Sequence, residues 1–300
     1  KTGEARIVAI VDDRRTRAPA AIGPTPVSGS IQDLLAWEGL PHVDRIVIAV
    51  SQKAEARVRG IIDELRAAPN RVDLLLDHHT LALRAGADRL GGGALACVLG
   101  RPRNFTRAVI KRTQDLIIAG ALLAALALPM LAIAAAIRFD SKGPALYRQR
   151  RTGFNNRPIT ILKFRSMAHA PDAPITPVRK NDKRITRLGR WLRRYSLDEL
   201  PQLINVLKGE MSLVGPRPHA IDMQATKRAY AEIVAEYAHR HRVKPGVTGW
   251  AQINGARGSV TSAAALRKRV KLDLDYVARA SLWVDLQILL QTPRAMWLGK

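Results

Sequence analysis

The first 80 residues alternate between two hydrophobic patterns, one typical of buried strands and one typical of amphipathic helices. Short runs of β-branched residues indicate strands, whereas apolar residues spaced by three and four indicate helices. The order strand, helix, strand, helix, strand is typical of parallel βαβ units in a doubly wound layer. It predicts a partial α/β, Rossmann-like domain over residues 1–80, with strands at Arg6–Val11, Arg45–Val50 and Arg71–Leu76 and helices at Ser28–Gly39 and Lys53–Ala68.

No glycine-rich phosphate loop of the dinucleotide-binding type follows the first predicted strand. Asp12-Asp13-Arg14-Arg15 stands there instead. Either a nucleotide site lay in a segment outside this chain, which begins at Lys1 and is interpreted as a fragment, or the domain regulates or assembles the protein. The second alternative is favoured, because a fold does not imply a ligand. Residues 81–105 are rich in Gly, Pro and Arg and predict a linker or a β-hairpin.

The longest apolar run, Leu116–Ile137, carries no charge over about 22 residues and is long enough to cross a bilayer as a helix. Two features oppose a plain transmembrane span. Pro129 interrupts the run, where it kinks or breaks a helix. Both flanks are basic, and the positive-inside rule keeps both of them on the cytoplasmic side. The sequence therefore favours a re-entrant helix that bends at Pro129, over a spanning helix and over a buried helix of a soluble core.

The formal net charge of +24 indicates an anionic partner, such as an acidic membrane face or phosphorylated substrates. Nucleic acid would also fit the charge, but no helix-turn-helix, zinc or RNP pattern supports it, and aromatic residues make up only 5% of the chain. We therefore expect no nucleic-acid partner. The single cysteine, Cys97, excludes an internal disulfide and fits a reducing compartment.

Asp198 and Glu199 form a pair of carboxylates at the start of a predicted short helix. Ser196 and Glu199 fit a capping box, and Asp198 as N-cap is the alternative that suits Pro201 better. Under either interpretation both acids lie at the positive end of a helix dipole. A cluster of arginines precedes the pair and Gly215-Pro216-Arg217-Pro218 follows it, a combination that indicates phosphoryl chemistry on a polyanion.

Three further stretches carry candidate binding residues. Pro144–Met167 predicts a hairpin whose second strand places Lys163 and Arg165 on one face. Asp182–Tyr195 predicts an amphipathic helix whose arginines either contact anionic lipid headgroups or form a solvated face. The Gly/Pro-rich segment 243–255 predicts a tight loop in which Trp250 can cover a base or a sugar.

The stretch Ser196-Leu-Asp-Glu-Leu-Pro-Gln-Leu-Ile-Asn-Val-Leu-Lys-Gly-Glu-Met-Ser-Leu-Val-Gly-Pro-Arg-Pro218 resembles the signature of the bacterial sugar transferases, the monotopic polyprenyl-phosphate phosphoglycosyl transferases. The resemblance covers residues 106–300 and implies an α+β, membrane-associated catalytic domain with a re-entrant helix over residues 111–138. Residues 1–80 resemble part of the regulatory domain of the family's large members, which suggests a homodimer formed through that half.

The resemblance implies transfer of a sugar 1-phosphate from a UDP-sugar to undecaprenyl phosphate, with release of UMP, at the cytoplasmic face of the bacterial inner membrane. Asp198 would be the nucleophile that forms a covalent phospho-sugar intermediate. Glu199, with Asp198, would bind Mg²⁺. The other expected substrate or phosphate contacts are Arg193, Arg217, Lys163, Arg165, Trp250, Arg257 and Asp273.

Three alternatives concern the sugar and the activity. Glucose is the first expectation, for the initiation of exopolysaccharide or another surface glycan, and galactose or an N-acetylated sugar is the alternative. A different class of function is a membrane scaffold or assembly regulator that retains the fold without catalysis. Release of nucleoside monophosphate separates an enzyme from a scaffold.

Overall fold

The computed structural model describes residues 6–14, 18–27, 29–50, 54–76, 88–90, 93–100, 105–168, 182, 184–219, 224–225, 228–234, 236–258, 260 and 262–298. The chain divides into two compact units. The first comprises Lys1–Asn104, Asn155–Arg157 and Ala231–Arg242, and the second comprises Phe105–Phe154, Pro158–Tyr230 and Val243–Lys300.

The first unit is built on a four-stranded mixed sheet. Its elements are β1 (Ala21–Ile22), β2 (Thr25–Pro26), α1 (Ile31–Ala36), β3 (Arg45–Ile48), α2 (Glu55–Leu65), β4 (Arg71–Leu76), β5 (Asp88–Leu90) and β6 (Gly93–Leu99). The sheet has the order β3-β4-β6-β5, with β3 and β4 parallel and the other pairs antiparallel. The apolar face of α2 packs on β4, where Leu65 and Val72 are fully buried. Burial of that face stabilises the unit, because apolar surface leaves water.

The parallel βαβ unit predicted from Arg45 to Leu76 is confirmed. The Rossmann-like assignment is not confirmed, because no strand forms over Arg6–Val11, where Ile10 makes only an isolated bridge to Val27. In addition, β6 runs antiparallel to β4, whereas a doubly wound layer would continue in parallel. Between residues 81 and 105 the described part forms the β5–β6 hairpin, one of the two expected alternatives.

The second unit contains the remaining elements. They are α3 (Phe105–Ala125), α4 (Ala127–Asp140), β7 (Leu146–Thr152), β8 (Pro158–Phe164), α5 (Arg187–Arg194), α6 (Gln202–Lys208), β9 (Ser212–Val214), β10 (Gln224–Ala225), β11 (Arg228–Ala229), α7 (Tyr230–Ile233, of which residues 231–233 belong to the first unit), β12 (Gly246–Thr248), α8 (Trp250–Ile253), α9 (Ala263–Arg279) and α10 (Leu282–Leu298). The hairpin β7–β8 and the short parallel pair β9–β12 are its main sheets. Its core joins α3, β8, α6, β9, α9 and α10 around fully buried Val206, Met211 and Ile288.

The helices α3 and α4 form the predicted bent element. Among the described residues no single helix has the length and apolar composition to cross a bilayer, but α3 and α4 reach both together across a 60° bend. The break is at Leu126, three residues before Pro129, so the prediction that the helix bends at Pro129 itself is wrong in position. Pro129 occupies the first turn of α4, because its ring nitrogen cannot donate to the carbonyl of residue 125 and the α3 ladder must end before it.

Candidate active site

The two carboxylates lie on a 3-10 turn, Leu197–Glu199, between α5 and α6. Ser196 begins the turn with a left-handed φ of 55° and makes no side-chain cap, and Pro201 occupies the N-cap position of α6. Both capping interpretations of this stretch are therefore wrong. The physical reason is that the Glu199 side chain turns away from the backbone of Ser196 and pairs with two basic side chains.

Glu199 is held in a clamp of two cations. Arg217 binds it bidentately, with Nη1 2.9 Å from Oε2 and Nη2 in contact with Oε1. Lys163 Nζ lies 3.3 Å from Oε1. Burial alone would raise the pKa of Glu199, but the charges of Arg217 and Lys163 outweigh it and hold that pKa well below its usual range. In return Glu199 raises the pKa of Arg217. The clamp therefore favours the ionised form of Glu199.

The loop that carries Arg217 is tightly packed, which explains its glycine. Gly215 follows β9 directly, and a Cβ atom there would lie 2.4 Å from the carbonyl oxygen of Lys244. A side chain cannot approach backbone that closely, so glycine allows the β9 and β12 segments to pack together. The Gly-Pro-Arg-Pro loop consequently presents Arg217 from a rigid base.

Asp198 is the second carboxylate and has a different environment. It is 9% exposed, and among the described residues none donates a hydrogen bond to it. Burial, followed by the negative charge of Glu199, raises the pKa of Asp198 to about 6, against the opposing charges of Lys163, Arg193 and Arg217. The pKa values of the two adjacent acids are therefore shifted in opposite directions, because Glu199 is paired with two cations and Asp198 is not. Such a split is typical of functional sites.

A buried amide holds the two parts of the site together. Asn205, on the α6 turn that follows the acids, is 1% exposed. Its Oδ1 accepts the N–H of Leu162 at 2.9 Å, and its Nδ2 donates to the carbonyl of Thr160 at 2.8 Å. Because Thr160 and Leu162 come directly before Lys163 on β8, these bonds fix β8 against α6 and help to bring Lys163 to Glu199.

We expect Asn205→Ala to lower the free energy of unfolding by about 2–4 kcal/mol, because it leaves buried backbone groups of β8 without a partner. Urea unfolding of the detergent-solubilised protein followed by circular dichroism measures the change. Asn254→Ala is the matched control, because Asn254 is exposed and its one side-chain donation among the described residues is to the local carbonyl of Trp250. It should change stability by less than about 0.5 kcal/mol. Equal losses in the two variants would contradict the role of Asn205.

A small cleft adjoins the clamp and contains a residue that sequence reasoning missed. It is lined by Arg151, Ile161, Lys163, Gln202, Arg217 and Pro218. Arg151 donates to the carbonyl of Pro218 at 3.3 Å and to Gln149 Oε1 at 2.7 Å. The register of the hairpin places Arg151 opposite Ile159 and Lys163 opposite Tyr147, so both basic side chains share a face. That alternation in the sequence could have identified Arg151.

The structure places two other predicted residues next to the acids. Arg193, in the last turn of α5, is close enough to Asp198 for its charge to lower the carboxylate's pKa. Arg257 Nη2 contacts the Ser196 hydroxyl, two residues before Asp198. The loop carrying Arg257 is held by Arg269, which donates to the carbonyls of Ala256 at 3.0 Å and Gly258 at 2.8 Å.

Three predicted residues have other surroundings. Arg165 is 6% exposed and donates to backbone carbonyls after α4, including that of Ser141 at 2.7 Å. β8 ends at Phe164, one residue before Arg165, and the shared face with Lys163 stays a prediction. Trp250 packs on the core beneath Arg279, whose Cζ lies 4.9 Å from the ring centroid. Asp273 is buried in α9. Substrate contact by these three stays a prediction.

The acids suit a hard divalent cation in their chemistry. Mg²⁺ uses one or two carboxylates and completes its shell with water and substrate phosphates. Among the described residues no group of three or more His, Cys, Asp or Glu side chains could hold a metal alone. In the described part of the chain, Glu199 Oε2 accepts one hydrogen bond, from Arg217, so a lone pair on this oxygen is left for a cation. The pair therefore fits Mg²⁺ that arrives with a diphosphate.

Comparison with known proteins identifies the family. The model of the family described as bacterial sugar transferase matches residues 106–299. The chain belongs to this family. Undecaprenyl-phosphate glucose phosphotransferase of Komagataeibacter xylinus is 40% identical over 275 residues, which cover 88% of this chain and 50% of that protein. UDP-glucose:undecaprenyl-phosphate glucose-1-phosphate transferase of Escherichia coli K12 is 37% identical over 267 residues, which cover 88% of this chain and 57% of that protein.

A third relative of this bacterial sugar transferase is named for a different sugar. UDP-N-acetylgalactosamine-undecaprenyl-phosphate N-acetylgalactosaminephosphotransferase of Aeromonas hydrophila is 36% identical over 221 residues, which cover 73% of this chain and 50% of that protein. The chain spans about half the length of these relatives. The family resemblance drawn from Ser196–Pro218 is confirmed, and the matched range contains Asp198, Glu199 and the whole cation clamp.

Proposed function

We propose that the protein transfers glucose 1-phosphate from UDP-glucose to undecaprenyl phosphate and releases UMP, which initiates a surface polysaccharide such as an exopolysaccharide. The observation that carries the proposal is the pair of adjacent acids, Asp198 buried and Glu199 largely buried, with opposite pKa shifts and with Lys163, Arg193 and Arg217 around them. Relatives that match most of the chain are named for this reaction with glucose. Galactose or an N-acetylated sugar is the alternative donor group.

The proposed chemistry has two displacement steps at one phosphorus atom. An oxygen of Asp198 attacks the β-phosphorus of the donor, and the bond from that phosphorus to the bridging oxygen breaks, so that UMP leaves with the electron pair. The product is an acyl phosphate that links Asp198 to the sugar phosphate. A phosphate oxygen of undecaprenyl phosphate then attacks the same phosphorus and releases the Asp198 carboxylate.

The basic side chains provide the electrostatic part of the proposed mechanism. Phosphoryl transfer depends on positioning and on neutralising the charge that develops on the leaving group. Lys163 and Arg217 hold Glu199 ionised, and Arg151 and Arg193 add positive charge along the cleft and beside Asp198. When bound at Glu199 and Asp198, Mg²⁺ would neutralise diphosphate charge and favour departure of UMP.

We expect the rate of UMP release to depend on pH through Asp198, because only the ionised carboxylate is a nucleophile. With a pKa of about 6, kcat/KM for the donor should fall about tenfold per pH unit below that value and level off above it. The stability of the folded protein should depend on pH in the opposite direction. The raised pKa of Asp198 stabilises the folded state fully below the ordinary value of 3.8, and this stabilisation is lost as the pH rises through about 6. Initial rates of UMP release measure the first dependence and thermal unfolding measures the second, each between about pH 4.5 and 8, a range that lies on both sides of the Asp198 pKa. A rate independent of pH across that range would contradict the assignment.

The bent helix pair supports a site at the cytoplasmic face of the inner membrane. Large apolar side chains are exposed on it, including Leu128 at 78%, Leu131 at 66% and Phe139 at 91%. Exposed apolar surface of this kind fits the hydrocarbon of a bilayer. We infer that α3 and α4 form a re-entrant hairpin among inner-membrane lipids, where undecaprenyl phosphate is accessible. Homodimerisation through the N-terminal half is a further part of the proposal.

A re-entrant pair has both ends on the same side, which cysteine labelling tests. With Cys97 replaced by Ser, single cysteines at Thr106→Cys and Lys142→Cys should both react with an impermeant maleimide in inverted inner-membrane vesicles and neither in spheroplasts. Both positions are exposed in the structure, so the bilayer rather than the fold decides access. Labelling of the two positions from opposite sides would show a spanning helix instead.

Nucleotide release is the experiment that decides between an enzyme and a scaffold. The protein in nanodiscs with undecaprenyl phosphate and Mg²⁺ should release UMP from UDP-glucose, and chelation by EDTA should stop the reaction. A parallel series with UDP-galactose, UDP-N-acetylglucosamine and UDP-N-acetylgalactosamine identifies the sugar. Release with none of these donors would favour the scaffold.

A further inference from the structure

A buried polar cluster at the base of α3 takes no part in the chemistry proposed above. Lys111 Nζ lies 2.8 Å from Asp115 Oδ1 on the same helix and 2.8 Å from Asp285 Oδ2 on α10. Asp115 and Asp285 are 3% and 2% exposed. The Tyr276 hydroxyl of α9 lies 2.8 Å from Asp285 Oδ1. A buried ionic cluster contributes little net stability compared with apolar packing, so its presence favours a specific positioning role.

The cluster holds the backbone of β9. Asp115 Oδ1 accepts the N–H of Leu213 at 3.2 Å, and the Tyr276 hydroxyl lies 3.0 Å from the carbonyl oxygen of Val214. Val214 is followed at once by the Gly-Pro-Arg-Pro loop that presents Arg217. The side chains of three helices therefore fix the strand from which Arg217 reaches Glu199.

The same end of α3 also holds the other half of the site. Arg112, next to Lys111, donates to the carbonyls of Val206 at 2.6 Å and Leu207 at 2.7 Å in the last turn of α6. The acids Asp198 and Glu199 come just before α6 begins. Thus one helix turn of α3 binds both the helix that follows the acids and the strand that precedes Arg217.

We infer that Lys111, Asp115, Tyr276 and Asp285 are positioning residues that set Arg217 against Glu199, so that the seating of α3 determines the alignment of the catalytic pair. This inference rests on the proposed function. Misplacement of a catalytic group by about 1 Å can lower a rate about 100-fold without changing which groups are present. We expect the cluster to act on kcat, because its described side chains contact one another and the backbone of β9 rather than the acids.

The test compares variants that keep or remove the acceptor for Leu213. Asp115→Leu should lower kcat for UMP release about 100-fold with KM within about twofold. Asp115→Asn retains Oδ1 and should recover most of the rate. Tyr276→Phe removes one hydroxyl and should lower kcat about tenfold, which keeps the inference testable if Asp115→Leu does not fold. Val270→Ala, a fully buried truncation on α9, is the control for lost stability and should leave kcat unchanged.

A double-mutant cycle with Arg217→Lys identifies the route of the effect. If the cluster acts through Arg217, Asp115→Leu should lower kcat far less in the Arg217→Lys background than in the unmodified protein. The inference would be overturned if the losses in kcat from Asp115→Leu and Arg217→Lys simply multiplied in the double variant. It would also be overturned if Asp115→Leu and Val270→Ala lowered kcat equally. Either result would leave the proposed reaction intact. Absence of UMP release from the unmodified protein would refute the proposed function itself, so the two failures are distinguishable.

Discussion

Asp198→Asn is expected to abolish UMP release, with a loss of at least about 10⁴-fold in kcat, while the protein stays folded and membrane-bound. The amide is nearly the same size as the carboxylate but cannot form the acyl phosphate. Asp198 is buried and receives no hydrogen bond from any described residue, so the amide breaks no contact. The variant should also be as stable as the unmodified protein or more stable above about pH 6, because ionisation of the buried acid costs stability there.

The control for this experiment is the adjacent acid. Glu199→Gln removes the clamp's negative charge but leaves the nucleophile, so it should lower the rate less and raise the Mg²⁺ concentration that gives half-maximal release. Both variants are assayed in nanodiscs with identical amounts of undecaprenyl phosphate. Turnover by Asp198→Asn at more than a few per cent of the normal rate would rule out a nucleophilic role for Asp198.

Arg217→Ala is expected to have the second largest effect, on both rate and stability. Among the described residues, it leaves the largely buried Glu199 with the 3.3 Å contact from Lys163 alone. Breaking a buried pair at one end costs about 3–5 kcal/mol, and partial exposure of Arg217 and the remaining lysine reduce that to about 2–3 kcal/mol here. We expect the rate to fall by about 10³-fold, since the proposed mechanism loses a positioned positive charge beside the acids. Thermal unfolding and UMP release measure the two effects.

Two further variants separate charge from geometry. Arg217→Lys retains the charge but not the planar fork that binds both oxygens of Glu199, so it should keep most of the stability and lose rate. In the double variant Glu199→Gln/Arg217→Ala the buried charge is gone, so stability should return while activity does not. If the double variant were less stable than Arg217→Ala alone, the clamp would not be the source of the loss.

The sequence was sufficient for the part of the candidate site that lies in one continuous stretch. Asp198 and Glu199 are adjacent, and the short segment between them and Arg217 has an apolar spacing and a Gly/Pro content that can be interpreted locally. The structure joins Glu199 to Arg217 as a bidentate pair. The family could be assigned from the same stretch. The bent helix was also predictable, because its length and flanking charges are local properties.

Other features could not be predicted because they depend on long-range contacts. The capping interpretations failed since Arg217 and Lys163 compete for the Glu199 side chain. Arg165 donates to the carbonyls of Ile137 and Ser141, which are distant in the sequence, and the break at Leu126 depends on how far the α3 hydrogen bonds continue before Pro129. The contact of Lys111 with Asp285 joins residues far apart in the sequence, and no local period indicates it.

The most direct test is to incubate the protein with UDP-glucose and Mg²⁺ without undecaprenyl phosphate, quench it in acid and map its peptides by mass spectrometry. We predict a hexose phosphate esterified to Asp198, released as product when undecaprenyl phosphate is added before the quench and absent in Asp198→Asn. Product formation with no adduct on Asp198 at any time would contradict a covalent mechanism and would favour direct attack by the lipid phosphate on the donor.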